Sequence, residues 1–159
     1  MDVFLARLHV PMTHLPIASA ILAALASLAA IIFAKYREKL SWAWAVLSLV
    51  AVISVVPTII TGIEAGRGRT YIEEGIIVAD LEENANIRLH QQLGFAGFGV
   101  SLILAGLGIA RLRGKNPNPY LVASIAVILV TVWLLGAHEG GAGIWAPDTF
   151  PGFKKELIN

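Results

Sequence analysis

The chain is 159 residues long, 57% hydrophobic and 14% charged, with a formal net charge of +1 and a mean hydropathy of +0.73. Soluble domains carry about a quarter charged residues, so this chain has too few charges to wet a globule, and its expected solvent is lipid. Cysteine is absent, which excludes disulfides, thiolate metal sites, iron–sulfur clusters and covalent haem attachment through C-x-x-C-H.

The N-terminus, MDVFLARLHV, lacks the basic stretch, short apolar run and small-residue cleavage site of a removable signal. The first apolar run is therefore expected to stay in the protein. DVFLARLH reads as a short interfacial helix ended by Pro11. Leu15 to Ala34 carries no charge and is long enough, as a helix, to cross ~30 Å of hydrocarbon. Thr13 is placed to cap it, with Pro16 in its first turn. Three more such runs follow, Trp42 to Ile63, Leu93 to Ala110 and Tyr120 to Ala137. Each must be helical, because open strands would leave backbone amides unpaired in lipid. Pro57 predicts a kink in the second run. Tyr36, Trp42, Trp44, Tyr120 and Trp145 fall near predicted span ends, where interfacial aromatics collect. The expected fold is all-α, a single-domain integral membrane four-helix bundle over 1–159, with spans near 15–34, 42–63, 90–110 and 120–138.

The loops orient it. Lys35, Arg37 and Lys39 against Glu38 in the first loop, and Arg111, Arg113 and Lys115 in the third, lie on one side. The other side holds Arg7, Arg67, Arg69, Arg88, Lys154 and Lys155 among all the remaining acids. The positive-inside rule makes the two short loops cytoplasmic, so both termini and the long loop 64–89 are expected on the non-cytoplasmic side. Gly66, Gly68 and Gly75 interrupt that loop. Asp80 and Glu83, spaced as a capping box, predict a helix that starts there and runs into the third span. The tail after Gly140 reads as ordered loop.

The chain has four histidines, and all fall in one depth zone near the outer face. His9 and His14 flank the start of the first span, His90 opens the third and His138 ends the fourth. Ionisable residues at such depth are functional candidates, although wet headgroups also tolerate imidazoles. Gly94 and Gly97 follow His90 on the same helical face and leave room for a flat group such as haem. Small-residue packing between membrane helices has the same signature. His9 and His14, five apart, point about 140° apart on a continuous helix. His138 precedes Gly140 and Gly141, where the helix is expected to end.

Haem b is held by axial imidazoles from facing helices; zinc or copper is the competing chemistry, with three or four histidines converging. Arg88, Arg67, Arg69 and Arg7 are candidate partners for haem propionates, and surface solvation accounts for them equally well. Glu64 is a candidate proton acceptor or an ordinary interfacial acid. No nucleophile–base triad, phosphate loop or H-E-x-x-H is present.

LHVPMTHLPIA, with His9, His14, Pro16 and Ile17, resembles the opening signature of the membrane family known as domain of unknown function 2231. TGIEAG from Thr61 to Gly66 is similar to the family's motif ending the second span, His90 to its histidine opening the third, and Gly140–Gly141 to its double glycine after the fourth. The family's last histidine often follows that double glycine, whereas His138 precedes it. The resemblance makes haem binding an expectation.

The functional expectation is thus a b-type cytochrome subunit of the inner membrane, with one or two haems and no catalytic activity of its own. His14 and His90 are the expected axial pair, with His9 and His138 as ligands of a second haem or supports of the first. The same four histidines are the expected metal ligands under the zinc or copper alternative. A structural subunit packing through its glycines is a third reading. Expected partners are the lipid bilayer, other subunits of a membrane complex and a periplasmic electron carrier or quinol; nucleic acid is not expected.

Overall fold

Uncharged runs of this length, with no water to satisfy their backbone, fold as helices. The computed structural model describes residues 3–66, 72–73, 76–77 and 85–144. It contains helices α1 (Val3–Ile32), α2 (Arg37–Gly66), α3 (Ala85–Leu112) and α4 (Pro119–Ile144). A one-turn 3-10 helix, Ala34–Tyr36, joins α1 to α2. Strands β1 (Ile72–Glu73) and β2 (Ile76–Ile77) pair antiparallel, Ile72 with Ile77 and Glu73 with Ile76. All four helices are long and apolar enough to cross a membrane, over Leu8–Ile32, Ala34–Ile63, Arg88–Leu112 and Pro119–Gly140.

Each helix packs on its two neighbours, α1 on α2 and α4, and α3 on α2 and α4; α1 faces α3, and α2 faces α4, across the diagonals. The bundle is built inside out relative to a soluble one. Ser19, Ala20, Ala23, Ser27 and Ala30 of α1 are buried, as are Ser48, Ala51, Thr58 and Thr61 of α2. Large aliphatics such as Leu25, Ile53, Ile103 and Leu134 are exposed on the outside. Small inward residues let backbones approach closely, which is how helices associate when lipid is as apolar as leucine. Three of the buried hydroxyls are satisfied within their own helices: Ser27, Ser48 and Ser101 donate to the carbonyls of Ala24, Ala45 and Gly97 at 2.8, 2.7 and 2.8 Å. Where α3 packs on α2, a Cβ on Gly108 would meet Ser48 Oγ and lie 2.9 Å from the Ala45 carbonyl oxygen.

Several boundaries differ from the sequence expectations. No separate N-terminal helix ends at Pro11: α1 continues through both Pro11 and Pro16. A proline inside a helix strips the carbonyl four residues earlier of its donor. For Pro16 that carbonyl is Met12, and Thr58 Oγ1 of α2 donates to it at 2.9 Å. The neighbouring helix thus repairs the break, as membrane bundles do. Thr13 is accordingly mid-helix, its hydroxyl donating to the Val10 carbonyl at 2.6 Å, and is not a cap. The fourth helix does not stop at the double glycine but runs to Ile144. Trp44 is buried rather than exposed at the interface, while Trp42, Tyr36 and Tyr120 are exposed as expected. The expected helix start at Asp80 and Glu83, the arginines Arg67 and Arg69, and the tail from Trp145 lie outside the described residues.

Candidate functional site

The buried positions of each helix recur at alternating three- and four-residue steps, the seam of a left-handed bundle. On α1 the stripe Pro16, Ala20, Ala23, Ser27, Ala30, stepped back by seven, reaches His9. On α3 the stripe Gly97, Ser101, Leu104, Gly108, stepped back by seven, reaches His90. Both histidines therefore turn into the bundle at the end away from the basic loops, and they meet. Their ring centroids are 6.0 Å apart and their planes cross at 83°.

These two helices are diagonal, and each ring rests on the helix beside its own. His9 lies over Gly62 of α2, where a Cβ would come within 2.8 Å of Cε1 and 3.2 Å of Nδ1. His90 lies over Gly140 of α4, where a Cβ would come within 2.7 Å of Nδ1 and 2.8 Å of Cε1. Only glycine leaves space for an imidazole there.

Hydrogen bonding sets the tautomers. His90 Nδ1 is 2.6 Å from the Gly136 carbonyl oxygen. A carbonyl only accepts, so Nδ1 carries the proton and donates it. His9 Nδ1 donates to the Thr58 carbonyl at 3.1 Å and towards Thr61 Oγ1 at 3.2 Å. The Thr61 hydroxyl is already a donor, to the Pro57 carbonyl at 2.8 Å, so it accepts from the ring. In the neutral form both rings thus keep a bare lone pair on Nε2. Imidazoles that ligate metals are held in this way, the non-ligating N–H donated to a backbone oxygen.

One turn before Gly136 on α4, the indole of Trp133 fills the space left by Gly97, where a Cβ would sit 3.1 Å from Cε2. Trp133 is 7% exposed, and its Nε1–H is buried without a hydrogen-bond partner among the described residues. A buried donor left unmatched costs about 1–3 kcal/mol, so this is a group awaiting an acceptor.

The expected axial pair, His14 with His90, is not the pair that meets. Because α1 is continuous through Pro11, His14 points away from His9 and is exposed. His138 is exposed on α4. Among the described residues no three histidine or acidic side chains converge, so the expected four-histidine zinc or copper cluster does not form there. Gly97 is not open space for a cofactor, being filled by Trp133, whereas Gly94, one turn from His90, has nothing within 4 Å of a built Cβ. Arg88 is exposed near the start of α3. Arg7 and Glu64 lie on α1 and α2, but their side chains are outside the described residues.

No family model matches the chain, and neither a curated protein nor a solved structure is similar to it. The site is therefore read from its own chemistry. Thr58, Gly136 and Trp133 escaped the sequence reading of function, and Gly62 entered it only within TGIEAG. The signal for them was the inward stripe on α2 and α4, which carries Thr58 and Gly62 on one helix and Trp133, Gly136 and Gly140 on the other.

Proposed function

We propose that the chain is a membrane-bound b-type cytochrome subunit whose haem iron is held by His9 and His90. The observation that carries this reading is the matched state of the two rings: diagonal helices, a 6.0 Å centroid separation, and both Nδ1–H groups committed to backbone carbonyls.

The donor set favours haem over zinc. A zinc site takes three or four protein ligands, and only two imidazoles converge among the described residues. Haem iron receives its equatorial ligands from the macrocycle and asks the protein for two. When bound, the haem supplies reversible one-electron exchange. The chain's own residues supply the rest. Thr58 and Gly136 orient the rings, Gly62 and Gly140 seat them, and the apolar bundle excludes water. The Trp133 Nε1–H is a donor for a polar edge of the bound group, and Arg88 is a candidate partner for a propionate.

With the basic loops cytoplasmic, this end of the bundle faces the periplasm and both termini lie on that side of the inner membrane. One haem at one face exchanges electrons with a periplasmic carrier or a quinol and does not carry them across the bilayer. The chain presents no evident substrate chemistry, so it works within a larger membrane complex. The resemblance of LHVPMTHLPIA to domain of unknown function 2231 belongs to the same proposal, with the motif's first histidine as ligand. The test is a pyridine haemochrome assay, with metal analysis, on protein purified from haem-replete cells. A b-type spectrum supports the reading. Colourless protein sinks it, with stoichiometric zinc or copper supporting a metal site and no metal supporting a purely structural role.

A further inference from the structure

The opposite end of the bundle holds a cleft of about 710 Å³ between the 3-10 turn, the start of α2 and the α3–α4 connection. Its charged lining is Lys35, Arg37 and Arg111 against Glu38, and Ser27, Ser41 and Asn116 add neutral polar groups. Arg111 is held firmly. Its guanidinium stands 5.7 Å from the centre of the Trp42 ring and donates through one terminal nitrogen to Asn116 Oδ1 at 2.9 Å. Its Nε, however, is buried with no hydrogen-bond partner among the described residues. Arg37 spends its Nε on the Ala30 carbonyl at 3.1 Å, which fixes it at the cleft wall. A cleft lined by three cationic side chains against one acidic one suits a compact anion rich in acceptors, and phosphate geometry suits arginine.

We propose that this cleft binds a phosphate group, carried on an anionic phospholipid of the leaflet at the basic end. The lipid source is favoured by what flanks the cleft. Ile32 and Phe33, beside Ala34 at its edge, are 71% and 55% exposed, and Leu121, beside Val122, is 51% exposed. These surfaces would take acyl chains while the headgroup phosphate enters. Exposed Tyr36, Trp42 and Tyr120 mark the same level as interfacial.

The test is calorimetric titration of the delipidated full chain in neutral detergent with short-chain phosphatidylglycerol, short-chain phosphatidylcholine and inorganic phosphate. Phosphatidylglycerol is expected to bind about tenfold more tightly than phosphatidylcholine, and Arg111→Gln and Arg37→Gln each to weaken it about tenfold. Lys115→Gln and Arg113→Gln, which remove charges at the same end outside the cleft lining, are expected to change it by less than about twofold. Circular dichroism checks that each variant is folded; should Arg111→Gln unfold, Arg37→Gln and Ser41→Ala carry the comparison. Inorganic phosphate binding with the same arginine dependence, without lipid binding, would keep the phosphate site and assign it to the free anion. Equal affinity for the two lipids with no phosphate binding, or equal losses in all four charge variants, would overturn the proposal.

Discussion

His9 and His90 stand on diagonal helices, yet across the bundle their ring centroids are 6.0 Å apart and their planes cross at 83°. Each is positioned by a third party. α2 supplies the Thr58 carbonyl and the bare Gly62 to His9, and α4 supplies the Gly136 carbonyl and the bare Gly140 to His90. The site is thus a property of all four helices, and its failure modes are specific.

Gly62→Ala and Gly140→Ala should each push one ring out of place. The added methyl would lie 2.8 Å from His9 Cε1 or 2.7 Å from His90 Nδ1, and overpacking of this kind costs about 1–3 kcal/mol. Thermal unfolding in detergent measures it. Gly99→Ala is the control, since nothing lies within 4 Å of a Cβ there; it should be neutral or stabilise by about 0.5–1 kcal/mol. Equal behaviour of all three variants would show that the rings do not rest on Gly62 and Gly140.

Thr58→Val should destabilise the bundle by about 1–3 kcal/mol, because the Met12 carbonyl beside Pro16 loses its only substitute donor among the described residues. Thr58→Ser keeps the hydroxyl and should restore most of the loss. The carbonyl that orients His9 is backbone and survives both changes. If valine and serine behave alike in chemical or thermal unfolding, the cross-helix repair of the proline break is not a stabilising feature.

A methyl on Gly108 has nowhere to go, with Ser48 Oγ and the Ala45 carbonyl already there. Gly108→Ala should force α2 and α3 apart and lower stability by about 1–3 kcal/mol. Limited proteolysis and melting temperature in detergent read this, and a melt unchanged from the parent chain would argue against the close approach.

Trp133→Phe removes the unmatched Nε1–H and keeps most of the ring. In the haem-free chain it should leave stability unchanged or raise it by about 1–3 kcal/mol, the relieved desolvation cost. A loss of similar size would mean that the indole already has a partner in the haem-free state.

Much of the architecture was legible in the chain. Four uncharged runs mark four helices long and apolar enough to cross a membrane, and the small inward residues mark which faces meet. The inward stripes also point to the histidines that meet, because stepping back by seven from Pro16 reaches His9 and not His14. What hid this was Pro11. Read as a helix stop, it separates His9 from the first span; read as interior, it leaves His9 on the seam. Pro16, a turn further on, sits inside the helix with a hydroxyl of another helix donating to the carbonyl it frees, and a donor from a neighbour cannot be read locally. Trp44 was misread for a related reason: it is buried in the bundle's apolar core with residues of other helices, which its position near a span end does not reveal. The double glycine looked like a helix end because glycine often is one, whereas the close approach of an imidazole explains Gly140 inside α4.

The central claim is that His9 and His90, and not His14, hold the iron. Reduced-minus-oxidised absorbance spectra of the full chain and of His9→Ala, His90→Ala and His14→Ala, purified from haem-replete cells, test it most directly. A six-coordinate low-spin spectrum in the parent chain and in His14→Ala, lost or converted to high spin in the other two, is the predicted result. Loss of that spectrum in His14→Ala with His9→Ala unaffected, or no haem in any of the four proteins, would contradict it.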